Sequence, residues 1–195
     1  MKSNKIKIGA VATAVALSVT TAVSVGAAVS AQESTGMSNT TLAESSTPTA
    51  DVVEENGFQF DKSTGTITDY TGNETGTLTI PSSIDGVTVT SIKSYALGSA
   101  KMKEVIIPNT IETLGFGVFQ MCSSLEKVTF ESGSKVTELK DSMFYQCTKL
   151  KEVVFPENLK SIKVLAFYKC TSLETVTLPD GFTTLYNAAF LDCTN

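Results

Sequence analysis

Hydrophobic positions recur at a nearly fixed period through the second half of the chain. Each unit opens with two apolar residues separated by one residue, continues with two apolar residues spaced three apart, and ends in Phe followed by Cys. The cysteines are spaced 25, 23 and 23 residues apart, and a Phe lies three positions before each one. These two columns are Phe119, Phe144, Phe167 and Phe190, and Cys122, Cys147, Cys170 and Cys193. So many positions in register predict a solenoid of stacked repeats.

The alternating pair that opens each unit predicts a short β-strand, because residues two apart face the same side of a sheet. Pro follows the pair in three units and ends the strand by removing a backbone donor. Wider apolar spacing afterwards predicts a return segment of turn and short helical geometry. An earlier degenerate unit carries Leu97 in the Phe slot. The fold class expected is therefore a repeat solenoid of about five coils with a parallel sheet of short strands.

One unit shows the whole pattern: Leu150-Lys151-Glu152-Val153-Val154-Phe155-Pro156, then Leu159, Ile162, Ala166-Phe167, Cys170 and Leu173. This pattern resembles the BspA-like (Treponema-type) leucine-rich repeats of bacterial surface proteins. The resemblance covers residues 78–195, with the last coil truncated, and residues 57–77 resemble the capping segment that precedes such repeats. It implies a leucine-rich-repeat solenoid and adhesion to host extracellular proteins or to other cells.

The N-terminal residues have the features of an export signal. Lys2, Lys5 and Lys7 precede a long Ala- and Val-rich run, and Val29-Ser30-Ala31 offers a signal-peptidase site. The run is about long enough to span a bilayer, so a permanent anchor is the competing interpretation. We expect residues 1–31 to be a cleaved signal peptide, which places the protein outside the cell. Residues 32–56, rich in Ser, Thr, Glu and Ala, are predicted to be a disordered spacer.

Composition argues against most catalytic chemistry. The chain contains no His, Trp or Arg, so imidazole bases, His-containing zinc sites and bidentate phosphate forks are excluded. The net charge is −5, and removal of residues 1–31 would take away three Lys and no acid, leaving −8. That charge disfavours nucleic acid as a partner. We expect no enzyme activity, no cofactor, no metal site and no membrane insertion after cleavage.

The cysteines admit two interpretations. Four cysteines in an exported protein are compatible with two disulfides, whereas a shared inward slot predicts buried unpaired thiols. The strand residues between the inward pairs are also open to two interpretations, because they could form a protein-binding row or simply reflect β-propensity. These ligand-binding candidates are Ile106, Thr129, Val154 and Thr177.

The leading functional hypothesis is a secreted or cell-surface adhesion module that binds an extracellular or cell-surface protein, such as a host matrix protein, through the sheet face. The alternative is a targeting module of a larger exported enzyme whose catalytic domain follows residue 195, because the last coil ends two residues past Cys193. A third hypothesis is a structural surface-layer component, which would self-associate.

Overall fold

The computed structural model describes residues 4–8 and 51–193. In the second range the regular elements are β-strands, and no helix occurs there. The strands are β1 Asn4–Lys7, β2 Val52–Glu55, β3 Phe58–Asp61, β4 Thr66–Tyr70, β5 Thr77–Thr79, β6 Ser83–Ile84, β7 Val87–Thr88, β8 Ser91–Ile92, β9 Glu104–Ile107, β10 Thr113–Leu114, β11 Lys127–Phe130, β12 Glu138–Leu139, β13 Glu152–Val154, β14 Ser161–Ile162, β15 Thr175–Leu178 and β16 Thr184–Leu185.

The first strands of the coils form a parallel main sheet in the order β5, β9, β11, β13, and the fifth coil contributes β15. The register is that of the repeat, since Val128 lies between Val105 and Val153 on the neighbouring strands. Alternation turns Val128 and Phe130 inward, where they are 0% and 3% exposed. The predicted solenoid of about five coils with a parallel sheet of short strands is confirmed.

Short second strands, β8, β10, β12, β14 and β16, lie on the return side of the coils. They form two ladders, β4–β8–β10 and β12–β14–β16, so this side is interrupted between the second and third coils. The third coil carries two extra residues near Glu131–Ser134, which explains why β12 does not pair with β10. A crevice of about 230 Å³ lies at the interruption, between Leu114 and Glu138.

The return segments contain the predicted turns but no short helix, so the helical part of the prediction is wrong. Two residues near each Phe slot have positive φ, for example Ser142 at 57° and Gln146 at 58°, which breaks any helical run. The alternating conformation directs backbone N–H groups at the next coil. Phe144 N–H donates to the Ala166 carbonyl at 2.7 Å, and Phe119 N–H donates to the Met143 carbonyl at 3.0 Å.

The phenylalanine column runs through the core along the stacking direction. Ring centroids are 5.5 Å apart for Phe119 and Phe144, 5.1 Å for Phe144 and Phe167, and 4.9 Å for Phe167 and Phe190. The first three rings are 0% exposed and Phe190 is 4% exposed. Each coil therefore buries its largest side chain against its neighbours.

An antiparallel meander of β2, β3 and β4 covers the first coil. β4 pairs in parallel with β8, and the side chains of Phe60 on β3 and Ile67 on β4 are 0% exposed. The predicted disordered spacer extends too far, because β2 falls within residues 32–56. All four β2 residues pair with β3, and Val53 packs against the core. Apart from residues 4–8, the predicted signal peptide and the spacer up to residue 50 lie outside the described residues.

Candidate binding surface

The outward face of the main sheet carries the row of residues predicted to contact a ligand. Thr129 lies directly between Ile106 and Val154 in the hydrogen-bonded register of β9, β11 and β13. Ile106 and Thr129 are half-buried, whereas Val154 is 41% exposed. Thr79 extends the row beyond Ile106, and sequence analysis missed it because its coil is degenerate. The exposed Thr177 lies on β15, outside this hydrogen-bonded row.

The main sheet is open between β13 and β15. No backbone hydrogen bond joins these two strands within residues 151–178. One coil earlier, the Lys151 and Glu152 N–H groups both donate to the Glu126 carbonyl, at 2.9 and 3.2 Å. On the return side β14 and β16 stay paired through Ser161 and Thr184. The fourth and fifth coils are thus held together on one side and separated on the other.

The opening forms a crevice of about 420 Å³ between Val154 and Thr177, so it joins two of the four predicted ligand-contacting residues. Val153 and Phe155, whose equivalents in earlier coils face the core, also line it. Val153 is 8% exposed where Val128 is 0% exposed, and Phe155 is only half-buried. Apolar core surface is therefore accessible from the outward face at this one break in the sheet, as suits a binding cleft.

Charged residues beside the crevice are largely paired across strands. Lys127 lies 3.1 Å from Glu152, and Lys151 lies 2.7 Å from Glu126. Lys127 and Glu152 occupy the same position in successive coils, as do Glu126 and Lys151, so stacking of the coils places each pair side by side. The hydrogen bond and positive charge of Lys151 lower the pKa of Glu126. Because these side chains are at least a third exposed, solvent screens both pairs and they contribute little to stability.

The cysteines form a buried column beside the phenylalanines, and all four are free thiols. Each Sγ donates to a backbone carbonyl in the preceding coil; for example, Cys147 Sγ lies 3.0 Å from Phe119 O and Cys170 Sγ lies 3.1 Å from Phe144 O. Burial raises the pKa of Cys147 and Cys170 well above its usual range and that of Cys193 to about 11. These thiols stay protonated at neutral pH and act as structural donors.

Sequence analysis missed a second set of exposed apolar side chains, on the return segments. All fall within four residues of a Phe slot. Apolar residues there that do not belong to the repeat pattern were the sequence signal that could have identified them. Phe116 and Val164 share a position in coils that are not neighbours, and the others occupy different positions, so they do not form a continuous row along the solenoid as the outward sheet face does. They are Tyr95, Phe116, Met121, Val164, Tyr186 and Leu191.

Neither a metal centre nor a membrane-spanning helix is found in the described part of the chain. Over residues 4–8 and 51–193, no three His, Cys, Asp or Glu side chains come together in a way that could hold a metal ion. Within the same residues, no helix has the length and apolar character needed to cross a bilayer. The outward face presents an apolar crevice with charged flanks, which is suited to recognition by contact.

Stacked coils, a parallel sheet on one side and turn-rich returns behind a phenylalanine column define a leucine-rich-repeat solenoid. The model of the BspA-type leucine-rich repeat region matches residues 66–195 in six copies. The chain belongs to this family, and the resemblance deduced from the sequence is confirmed.

Two solved bacterial structures support the assignment. The Treponema pallidum leucine-rich-repeat protein TpLRR is 29% identical with a TM-score of 0.59, over 66% of this chain and 59% of that one. A leucine-rich-repeat protein from Bacteroides ovatus is 26% identical with a TM-score of 0.50, over 73% of this chain and 44% of that one. The chain thus spans less than two thirds of the length of either protein. No similar sequence was found among curated proteins.

Proposed function

We propose that this chain is a secreted or cell-surface binding module that recognises a protein ligand through the outward face of its main sheet. The crevice between β13 and β15 is the centre of contact. The observation that carries this proposal is that the crevice makes the apolar side chains of Val153 and Phe155 accessible to a ligand, beside the exposed Val154. Protein-binding sites combine such a small apolar centre with a polar rim.

The family supports the same class of function, because BspA-type repeats are typical of bacterial surface proteins with adhesion-like roles. A partner would insert an apolar side chain between Val154 and Thr177 and make shallower contacts along the row to Ile106. No catalytic step is needed. As a targeting module within a larger exported enzyme, the chain would use the same face and differ only in what it is attached to.

The test compares two exposed valines of nearly equal accessibility. Val154 is 41% exposed on the sheet face, and Val164 is 39% exposed on a return segment. The wild-type chain is first screened against an array of purified extracellular-matrix proteins. Its affinity for each matrix protein that binds in the screen is then measured by surface plasmon resonance. Val154→Lys should weaken binding about tenfold or more, because a charge replaces an apolar contact at the centre of the interface. Val164→Lys should leave binding unchanged.

Circular dichroism of both variants should match the wild type. The proposal is contradicted if no matrix protein binds, or if Val164→Lys weakens binding while Val154→Lys does not.

A further inference from the structure

The outer edge of β15 is occupied by a distant segment of the same chain. β1, Asn4–Lys7, pairs with β15 in antiparallel register, so that Ile6 lies beside Val176 and Lys5 beside Thr177. The next residue adds a further hydrogen bond, from Ile8 N–H to the Glu174 carbonyl at 3.1 Å. This extended segment supplies hydrogen-bond partners to backbone groups along the edge of β15.

The hydrogen bond to Glu174 shows which edge is used. The carbonyl of Glu126, at the equivalent position two coils earlier, accepts from Lys151 and Glu152 of the coil that follows it. Ile8 therefore donates to a carbonyl that points along the solenoid and away from β13. β1 takes the place that the main-sheet strand of a following coil takes elsewhere in this fold, but in the opposite direction.

The side chains of the segment fit this edge by their alternation. Ile8 is 1% exposed, Ile6 packs against the core, and Lys5 and Lys7 are exposed. The Lys-Ile-Lys-Ile order matches the pleat of a strand with one buried and one outward face. The edge of β15 thus accommodates two apolar side chains at alternate positions of the added strand.

The outward side of the segment reaches the crevice described above. Lys5 lines it together with Glu152 and Glu157. Glu152 already pairs with Lys127, whereas Glu157 forms no ion pair among the described residues. Lys151 also lines the crevice but pairs with Glu126, so Lys5 is the basic residue that complements Glu157.

We propose that the outer edge of β15 is a strand-accepting site and that its occupant is the segment Asn4–Ile8 of this chain. The segment adds to the sheet through backbone hydrogen bonds, inserts two isoleucines into the core and places Lys5 over one end of the crevice. Since residues 1–31 are expected to be removed on export, the contact belongs to the uncleaved chain. If the proposed function is correct, the segment also restricts ligand access to the crevice until it is removed.

Hydrogen–deuterium exchange of the full chain tests the strand directly and requires no ligand. In an Ile6→Asp/Ile8→Asp variant, the amides of Val176 and Leu178, which point toward β1, should exchange at least about tenfold faster than in the wild type, because their local opening is easier. Exchange in β9 and β11 should not change. Lys7→Ser, at an exposed position of the same segment, should behave as wild type. A synthetic peptide of residues 2–10, added in excess to the double variant, should restore the protection.

Equal exchange of the Val176 and Leu178 amides in the wild type and the double variant would overturn the proposal, as would failure of the peptide to restore protection. Protection of β9 and β11 reports that the double variant is folded. Loss of matrix-protein binding in Val154→Lys concerns the proposed function alone, so the two hypotheses can fail separately.

Discussion

Replacing Phe144 by Ala should destabilise the solenoid more than the same change at Phe190. Phe144 is 0% exposed and stacks between Phe119 and Phe167, with centroid distances of 5.5 and 5.1 Å. Removing a buried Phe costs about 3–5 kcal/mol, and each aromatic pair adds about 0.5–1.5 kcal/mol. Among the described residues Phe190 stacks on one ring only, Phe167, and is 4% exposed. We therefore expect Phe144→Ala to cost about 1 kcal/mol more than Phe190→Ala.

Urea unfolding followed by circular dichroism measures the free energy of unfolding of the wild type and the variants. Phe144→Leu is the matched control, because the first coil already places Leu97 in this slot at 1% exposure. It should cost only about 1–2 kcal/mol. Equal losses for Phe144→Ala and Phe190→Ala, or a loss below about 1 kcal/mol for Phe144→Ala, would refute the stacked column.

Three further predictions concern the thiols, the return side and the spacing of the coils. Because burial raises the pKa of Cys147 well above its usual range, native protein at pH 8 should resist alkylation, while denatured protein should titrate four free thiols. Burial raises the pKa of Glu138, but its hydrogen bonds from Lys140 and Lys163 outweigh this and lower it. Glu138→Gln should therefore cost about 0.5–1 kcal/mol above pH 4.5, a difference that vanishes in acid unfolding curves as pH falls through the folded pKa. Gly115→Ala would put a Cβ 2.7 Å from Ser94 Cα in the preceding coil and should lower thermal stability by about 1–3 kcal/mol, whereas Gly76→Ala, which meets only a Glu74 carboxylate oxygen at 3.1 Å, should not.

The main sheet and the phenylalanine column could be predicted because they depend on repetition. Alternation of residues such as Val128 and Phe130 sets the face of each strand, and the constant period sets which residues become neighbours. The structure places Val128 beside Val105 and Val153 as the period requires. A pattern repeated at this spacing has few other ways to bury all of its apolar residues.

The positive φ values within the return turns could not be predicted from local propensity. Leu165 and Lys169 have φ of 55° and 56°, values that non-glycine residues rarely adopt. They are held there by hydrogen bonds between coils, such as Lys169 N–H to the Leu191 carbonyl at 3.0 Å. Local sequence favours none of this, because the stabilising partners lie more than twenty residues away.

Neither the crevice nor the pairing of residues 4–8 with β15 could be predicted from the sequence. Val153 and Val176 are 23 residues apart, as are Val105 and Val128 of the paired strands β9 and β11, so nothing in the period marks the opening between β13 and β15. The predicted row includes Val154 and Thr177, and both are exposed on the outward face. An apolar cleft separates them because backbone hydrogen bonds between β13 and β15 do not form. Likewise, the basic and apolar alternation of residues 5–8 was interpreted only as the start of a signal peptide.

The most direct test of the stacked solenoid is a nuclear Overhauser spectrum of chain in which only the phenylalanines carry protons. Cross-peaks between ring protons are predicted for Phe119 with Phe144, Phe144 with Phe167, and Phe167 with Phe190, whose centroids lie 5.5, 5.1 and 4.9 Å apart. None is predicted between Phe119 and Phe167, which are two coils and roughly 10 Å apart. Missing cross-peaks between successive rings, or cross-peaks that skip a coil, would contradict the account.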